Sequence, residues 1–174
     1  SKFSDPGFLY GRALAQFSGS LAIKLADADL LPYEFTNLAD TTQGYLREVQ
    51  GLLRNRQDEV RERNRQVNDG VIAAVNDPKE PRPIPALEEV PLALNFAPLE
   101  NAVTALSRAA DRYKAAASKV TVDEATARRV NTRLLQAERQ FIDDGGLPRR
   151  PWYRHLLYAP GFYTGYGVKT MPGV

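Results

Sequence analysis

The residues best suited to chemistry crowd the C-terminal quarter of the chain. Trp152, Tyr153, Tyr158, Phe162, Tyr163 and Tyr166 fall within 15 residues, with Arg149, Arg150, Arg154 and Lys169 among or beside them. Tyrosine hydroxyls and cationic side chains held together suit a carboxylate or another anion. The same composition also suits a loop pinned to the fold by its rings, and the residue types alone do not choose between the two. His155, the only histidine, sits in Trp-Tyr-Arg-His-Leu-Leu-Tyr. A catalytic histidine needs an orienting carboxylate and a nucleophile beside it. No motif around His155 supplies either, so a hydrogen-bonded role in a packed loop is expected. Asp143-Asp144 has the chemistry of a hard-cation ligand pair, but it stands where a helix gives way to Gly145-Gly146, and turn formation accounts for it. The five arginines from Arg54 to Arg65, interleaved with Asp58, Glu59 and Glu62, have the spacing of ion pairs on a solvated helix face.

The totals narrow the chemistry further. With no cysteine among 174 residues, disulfides, thiolate zinc sites and cysteine nucleophiles are excluded. One histidine cannot build a multi-histidine metal site. No catalytic residue and no metal ligand is therefore assigned within the chain. The net charge of +2, from 23 basic and 21 acidic residues, argues against a nucleic-acid partner, whose phosphates demand a large basic face. No apolar run is long enough for direct membrane insertion. The compartment stays open, an extracytoplasmic or membrane-anchored parent included.

The elements that must position these residues read as helices. Asp5-Pro6 is a helix start, followed by one apolar stripe of Tyr10, Leu14, Phe17, Leu21 and Leu25 that ends near residues 27–29. A second helical phase runs from after Asn37 towards Val75, and its charged middle, Arg54 to Gln66, either projects into solvent or breaks the helix in two. Prolines at 78, 81, 83, 85 and 91 forbid helix over 76–96 and predict a surface strap. Pro98 opens a third helix, with Leu99, Val103, Leu106, Ala110, Tyr113 and Val120 on its stripe. Thr121-Val-Asp-Glu124 reads as a capping box for a fourth, with Ala127, Val130, Leu134, Ala137 and Phe141 on one face. The tail from Arg149 suits an ordered irregular loop. The fold class expected is all-α, a helical bundle with an aromatic-rich irregular C-terminal loop.

Specific blocks carry a family resemblance. Phe141-Ile142, Gly146-Leu-Pro-Arg-Arg-Pro-Trp-Tyr-Arg-His155, Tyr158-Ala-Pro160, Tyr166 and Pro172-Gly173 resemble the C-terminal region of the glutamate carboxypeptidase II and transferrin receptor family. Upstream, Phe3-Ser-Asp-Pro6, Ala15-Gln16, Leu25-Ala26 and Leu31-Pro32 are similar to the end of that family's protease-like domain and the entry to its helical domain. The resemblance implies that residues 1–30 are the terminal helix of a preceding protease-like domain. Residues 31–174 would be the transferrin receptor-like dimerisation domain, shortened at its C-terminus. It implies a homodimer that also docks on its own protease-like domain. It implies two zinc ions in the parent's protease-like domain and no cofactor in this chain. The fragment alone would be inactive, and the parent a zinc exopeptidase. Tyr166 matches the tyrosine that the family's helical domain lends to the substrate pocket, where it binds the substrate's terminal carboxylate. Gly165 stands at the position of the lysine that accompanies that tyrosine in glutamate carboxypeptidase II, which weakens any preference for terminal glutamate. Lys169 is a candidate replacement. The alternatives are a receptor-like member with an inactive protease domain, using this module for binding alone, and an unrelated helical interaction module.

Overall fold

A computed structural model describes residues 4–119, 121–163 and 165–174; Phe3 and Val120, which figured above, lie outside the described residues. A 3-10 turn (Pro6–Phe8) leads into α1 (Leu9–Ala26). There follow α2 (Phe35–Asn68), the single-turn α3 (Val71–Ala74), α4 (Ala97–Ala117) and α5 (Glu124–Ala137). A 3-10 turn (Glu138–Phe141) and two short strands, β1 (Tyr158–Pro160) and β2 (Val168–Thr170), complete the order. The architecture is predominantly helical, as the periodicities require.

Asp5 starts α1 from a distance. Its carboxylate accepts from the backbone N–H groups of Tyr10 and Gly11, each at 2.9 Å, so two of the helix's free donors are satisfied. The stripe on α1 has no cover among the described residues. Tyr10, Leu14 and Phe17 are 75%, 65% and 68% exposed, and the helix buries no residue. The link that follows is fixed, however. Asn131 on α5 accepts from the Leu31 N–H and donates to the Asp29 carbonyl, both at 2.9 Å, which ties residues 29–31 to α5.

The second helix is one unbroken element, which corrects the expected break in its middle, while most of that stretch is exposed to solvent as the other expectation had it. It begins at Phe35 rather than after Asn37 and ends at Asn68, roughly 51 Å at the α-helical rise. Gly70 at φ 72° stops it, since left-handed backbone favours glycine; Val71–Ala74 is a separate turn. The charged stretch from Arg54 to Gln66 is the bed on which the proline strap lies. Asn64 pairs with the backbone of Glu88 in both directions, at 2.7 and 2.9 Å. Gln57 donates to the Pro91 carbonyl at 2.9 Å, and Glu88 receives both Arg56 and Arg63. Val60 is buried in the middle of this stretch. On the open side, Arg65 bridges Glu62 and Asp69. The hydrogen bonds from Arg65 and Gln66 hold Glu62 down at about 2.

Helices α2 and α4 pack together, from Phe35 against Tyr113 to Gln50 on Glu100, with Pro98 in the first turn of α4 as predicted. The fourth helix is capped by Asp123 and not by Thr121. The Asp123 carboxylate accepts from the Thr126 N–H at 2.8 Å and from the Thr126 hydroxyl at 3.0 Å, which holds its pKa below the usual aspartate value. An Asp directly before the first helical residue reaches the free N–H groups without the reciprocal glutamate. The core groups Leu46 of α2 and Val103 of α4 with Leu157 and Met171 of the tail. The tail is thus part of the core.

Candidate functional site

The tail is a platform carrying a hairpin. The platform is built from the Gly146–His155 block. Leu147 is 2% exposed. Its N–H donates to the Tyr153 carbonyl at 2.8 Å, which closes the Pro-Arg-Arg-Pro segment into a compact loop. Gly146 permits that closure, with φ 68° and the Pro151 carbonyl packed directly against its α-carbon. Arg150 is 8% exposed. Its guanidinium donates to the Pro160 carbonyl at 2.6 Å and lies over the rings of Tyr153 and Phe162, 5.7 and 5.5 Å from their centroids. Outward from the platform, β1 and β2 pair antiparallel, Tyr158 opposite Thr170 and Pro160 opposite Val168. The tail therefore contains a small sheet where an irregular loop was expected. Three-residue strands without a polar–apolar alternation give no readable signal.

His155 has the carboxylate that its local sequence did not reveal. Its Nε2 is 3.0 Å from Glu138 Oε1, and Tyr158 donates its hydroxyl to the same oxygen at 2.6 Å. Glu138 lies in the 3-10 turn after α5, with no motif to announce it. The Leu157 N–H donates to His155 Nδ1 at 3.3 Å, which puts the proton of the neutral ring on Nε2, facing Glu138. The ring stacks on Tyr158, centroids 4.1 Å apart. The hydrogen bond to Glu138 holds the Tyr158 hydroxyl above its ordinary pKa, because only the protonated phenol can donate to the carboxylate. The tyrosine hydroxyl is thus given to the carboxylate, and the imidazole serves as a clamp on the start of β1. The second strand is clamped to α2 by the Thr170 hydroxyl, 3.1 Å from Glu48 Oε2.

The other candidates separate cleanly. Asp143 accepts from the Gly145 N–H at 2.7 Å, the turn geometry expected of it, and Asp144 pairs with Arg154. Among the described residues no three His, Asp or Glu side chains converge as metal ligands. Tyr166 is 86% exposed, at the end of the loop joining β1 to β2. It stands between Gly165 at φ 69° and Gly167 at φ 68°, and the loop is closed by the Gly161 N–H on the Gly167 carbonyl at 3.0 Å. The rings do not all pin the loop. Tyr158 and Phe162 are engaged, whereas Trp152 and Tyr163 are 77% and 86% exposed; aliphatic Leu147, Leu157 and Met171 supply the anchorage. The arrangement is a rigid base that presents tyrosines at its far end.

Residues 94–174 match the family model of the transferrin receptor-like dimerisation domain. The chain is 30% identical over 173 residues to a probable glutamate carboxypeptidase of Arabidopsis thaliana, covering 99% of this chain and 20% of that protein. It is 31% identical over 172 residues to a probable glutamate carboxypeptidase of Arthroderma benhamiae, with the same coverage of 99% and 20%. An aminopeptidase of Rattus norvegicus is 26% identical over 176 residues, 99% of this chain and 19% of that protein. The chain thus spans about a fifth of the length of the curated relatives it matches. The match begins just before α4 and runs through the platform and hairpin. The chain belongs to the glutamate carboxypeptidase-like family and carries, in residues 94–174, its transferrin receptor-like dimerisation domain.

Proposed function

We propose that this chain joins two subunits and completes the substrate pocket of a zinc exopeptidase, supplying Tyr166 and no catalytic group. The observation that carries the reading is the hairpin itself. Its base is locked by Arg150, by the Glu138–His155–Tyr158 clamp and by Thr170–Glu48, while the loop between its strands holds Tyr166 exposed between two left-handed glycines. A rigid base with an outward loop suits a residue lent to a neighbouring domain. Residues 1–30 form the terminal helix of a protease-like domain, and residues 31–174 form the helical domain. The exposed stripe of α1 and the tie between residues 29–31 and Asn131 support that division. Two zinc ions and the activated water belong to the protease-like domain. The self-association implied by the domain is that of a homodimer.

Peptidase assays test the pocket role. The chain alone, with zinc supplied, releases nothing from a peptide. In a protein carrying both domains, Tyr166→Phe raises KM about tenfold or more and leaves kcat within a few-fold, the pattern of lost ground-state binding. An unchanged KM removes Tyr166 from the pocket, and zinc-dependent cleavage by the chain alone removes the division of labour. Sedimentation tests the other half: a concentration-dependent dimer is expected, and a strict monomer at high concentration rules out self-association through this domain.

A further inference from the structure

A link between two helices is where a hinge is expected, but the one joining α1 to α2 is held at several points. The last helical hydrogen bond of α1 runs from the Asp27 N–H to the Ile23 carbonyl, at 2.9 Å. Two residues on, the Asn131 amide grips the backbone: its nitrogen donates to the Asp29 carbonyl and its oxygen accepts from the Leu31 N–H, both at 2.9 Å. Donor and acceptor of one side chain thus serve one short stretch of chain, as a neighbouring strand would. Ala28 alone lies between the end of the helix and that grip. With two soft torsions per residue, α1 has little freedom to swing.

The far side of the link is held independently. Pro32 fixes its own φ, and the Tyr33 N–H donates back to the Leu31 carbonyl at 2.8 Å. Tyr33 stacks on Phe35, centroids 5.7 Å apart, and Phe35 meets the edge of Tyr113 on α4 at 5.1 Å. Glu34 pairs with Lys114 of α4 at 3.8 Å, an exposed pair that adds little. The link contains neither glycine nor serine, the residues that make a free tether. Because α1 buries no residue of its own, its direction depends on this short stretch.

We propose that residues 28–35 form a rigid mount that sets the angle between α1 and the helical body, with Asn131 as its positioning residue. With α1 in the protease-like domain, as read above, the mount aims the Tyr166 loop at the pocket; that consequence rests on the pocket reading, and the mount itself does not. The chain has no cysteine, so Ser20→Cys on α1 and Ala109→Cys on α4, both exposed, take spin labels at those sites alone. Pulsed dipolar spectroscopy is expected to give one narrow distance distribution, and Asn131→Ala to broaden it roughly twofold or more as the torsions of 28–31 are released. Exchange of the Leu31 amide hydrogen accelerates about tenfold or more, the equivalent of one hydrogen bond. Alanine is the better helix former, and Asn131 lies outside the core of Leu46, Val103, Leu157 and Met171, so α5 and the core persist in the variant. A broad distribution in the parent chain, or either quantity unchanged in the variant, overturns the proposal. In a protein carrying both domains, Asn131→Ala raises KM about threefold or more with kcat within twofold, and adds nothing to Tyr166→Phe. Broadening without that rise denies Asn131 its positioning role, whereas a normal KM for Tyr166→Phe strikes the pocket reading and leaves the distance result untouched.

Discussion

Gly146→Ala should destabilise the domain by about 3 kcal/mol or more, the largest loss expected from a single methyl group here. A β-carbon at this position would sit 2.1 Å from the Pro151 carbonyl oxygen and 2.6 Å from its carbon, where contacts under 3.0 Å force movement. The obstacle is backbone, so no side chain can swing away. The φ of 68° adds a penalty of about 1 kcal/mol for any L side chain. Relief would require opening the loop closed by Leu147 on Tyr153, which would lift buried Leu147 and Arg150 out of their places. Urea denaturation of the variant is the measurement, and a loss below about 1 kcal/mol would mean that the platform deforms easily. By contrast, Gly165 and Gly167 have open space around a would-be β-carbon, and alanine there meets only the backbone penalty.

The second large effect is expected at Arg150. Arg150→Lys should cost about 2–3 kcal/mol although it conserves the charge. A lysine ammonium can reach the Pro160 carbonyl or lie beside the Tyr153 and Phe162 rings, but it lacks the plane that lets arginine do both. Because the residue is 8% exposed, whichever contact is lost is not replaced by water. The control is Arg154→Lys: its partner Asp144 is 95% exposed, and exposed pairs contribute less than about 1 kcal/mol. Equal melting temperatures for the two variants would contradict the role given to Arg150. A fall confined to Arg150→Lys would also loosen the hairpin, so in a protein carrying both domains it should raise KM together with the loss of stability.

The Gly146–His155 block that carries the resemblance is held by packing. Gly146, Leu147 and Arg150 are held by a carbonyl, a core and a buried hydrogen bond, and none of the three touches the hairpin tip. Tyr166, the residue proposed to meet substrate, lies outside that block, with Gly165 beside it. A structural motif thus pointed to the right domain, while the chemistry beside it was left to the loop.

What the chain determines locally could be read directly. Stripes at helical spacing located α1, α4 and α5, Pro98 opened α4, and the proline run excluded helix from 76–96. Each of these depends on contacts within a few residues, where side-chain type and spacing are enough. The composition likewise ruled out thiolate and multi-histidine chemistry without reference to shape. Only the tertiary structure decided the rest. It laid the strap on the charged face of α2 through pairs 24 to 34 residues apart, brought Glu138 to His155 across 17 residues and paired two strands too short to announce themselves. Such contacts have no period, because they depend on where helices and turns deliver the chain, and that is fixed by the burial of Leu46, Val103, Leu157 and Met171 in one core.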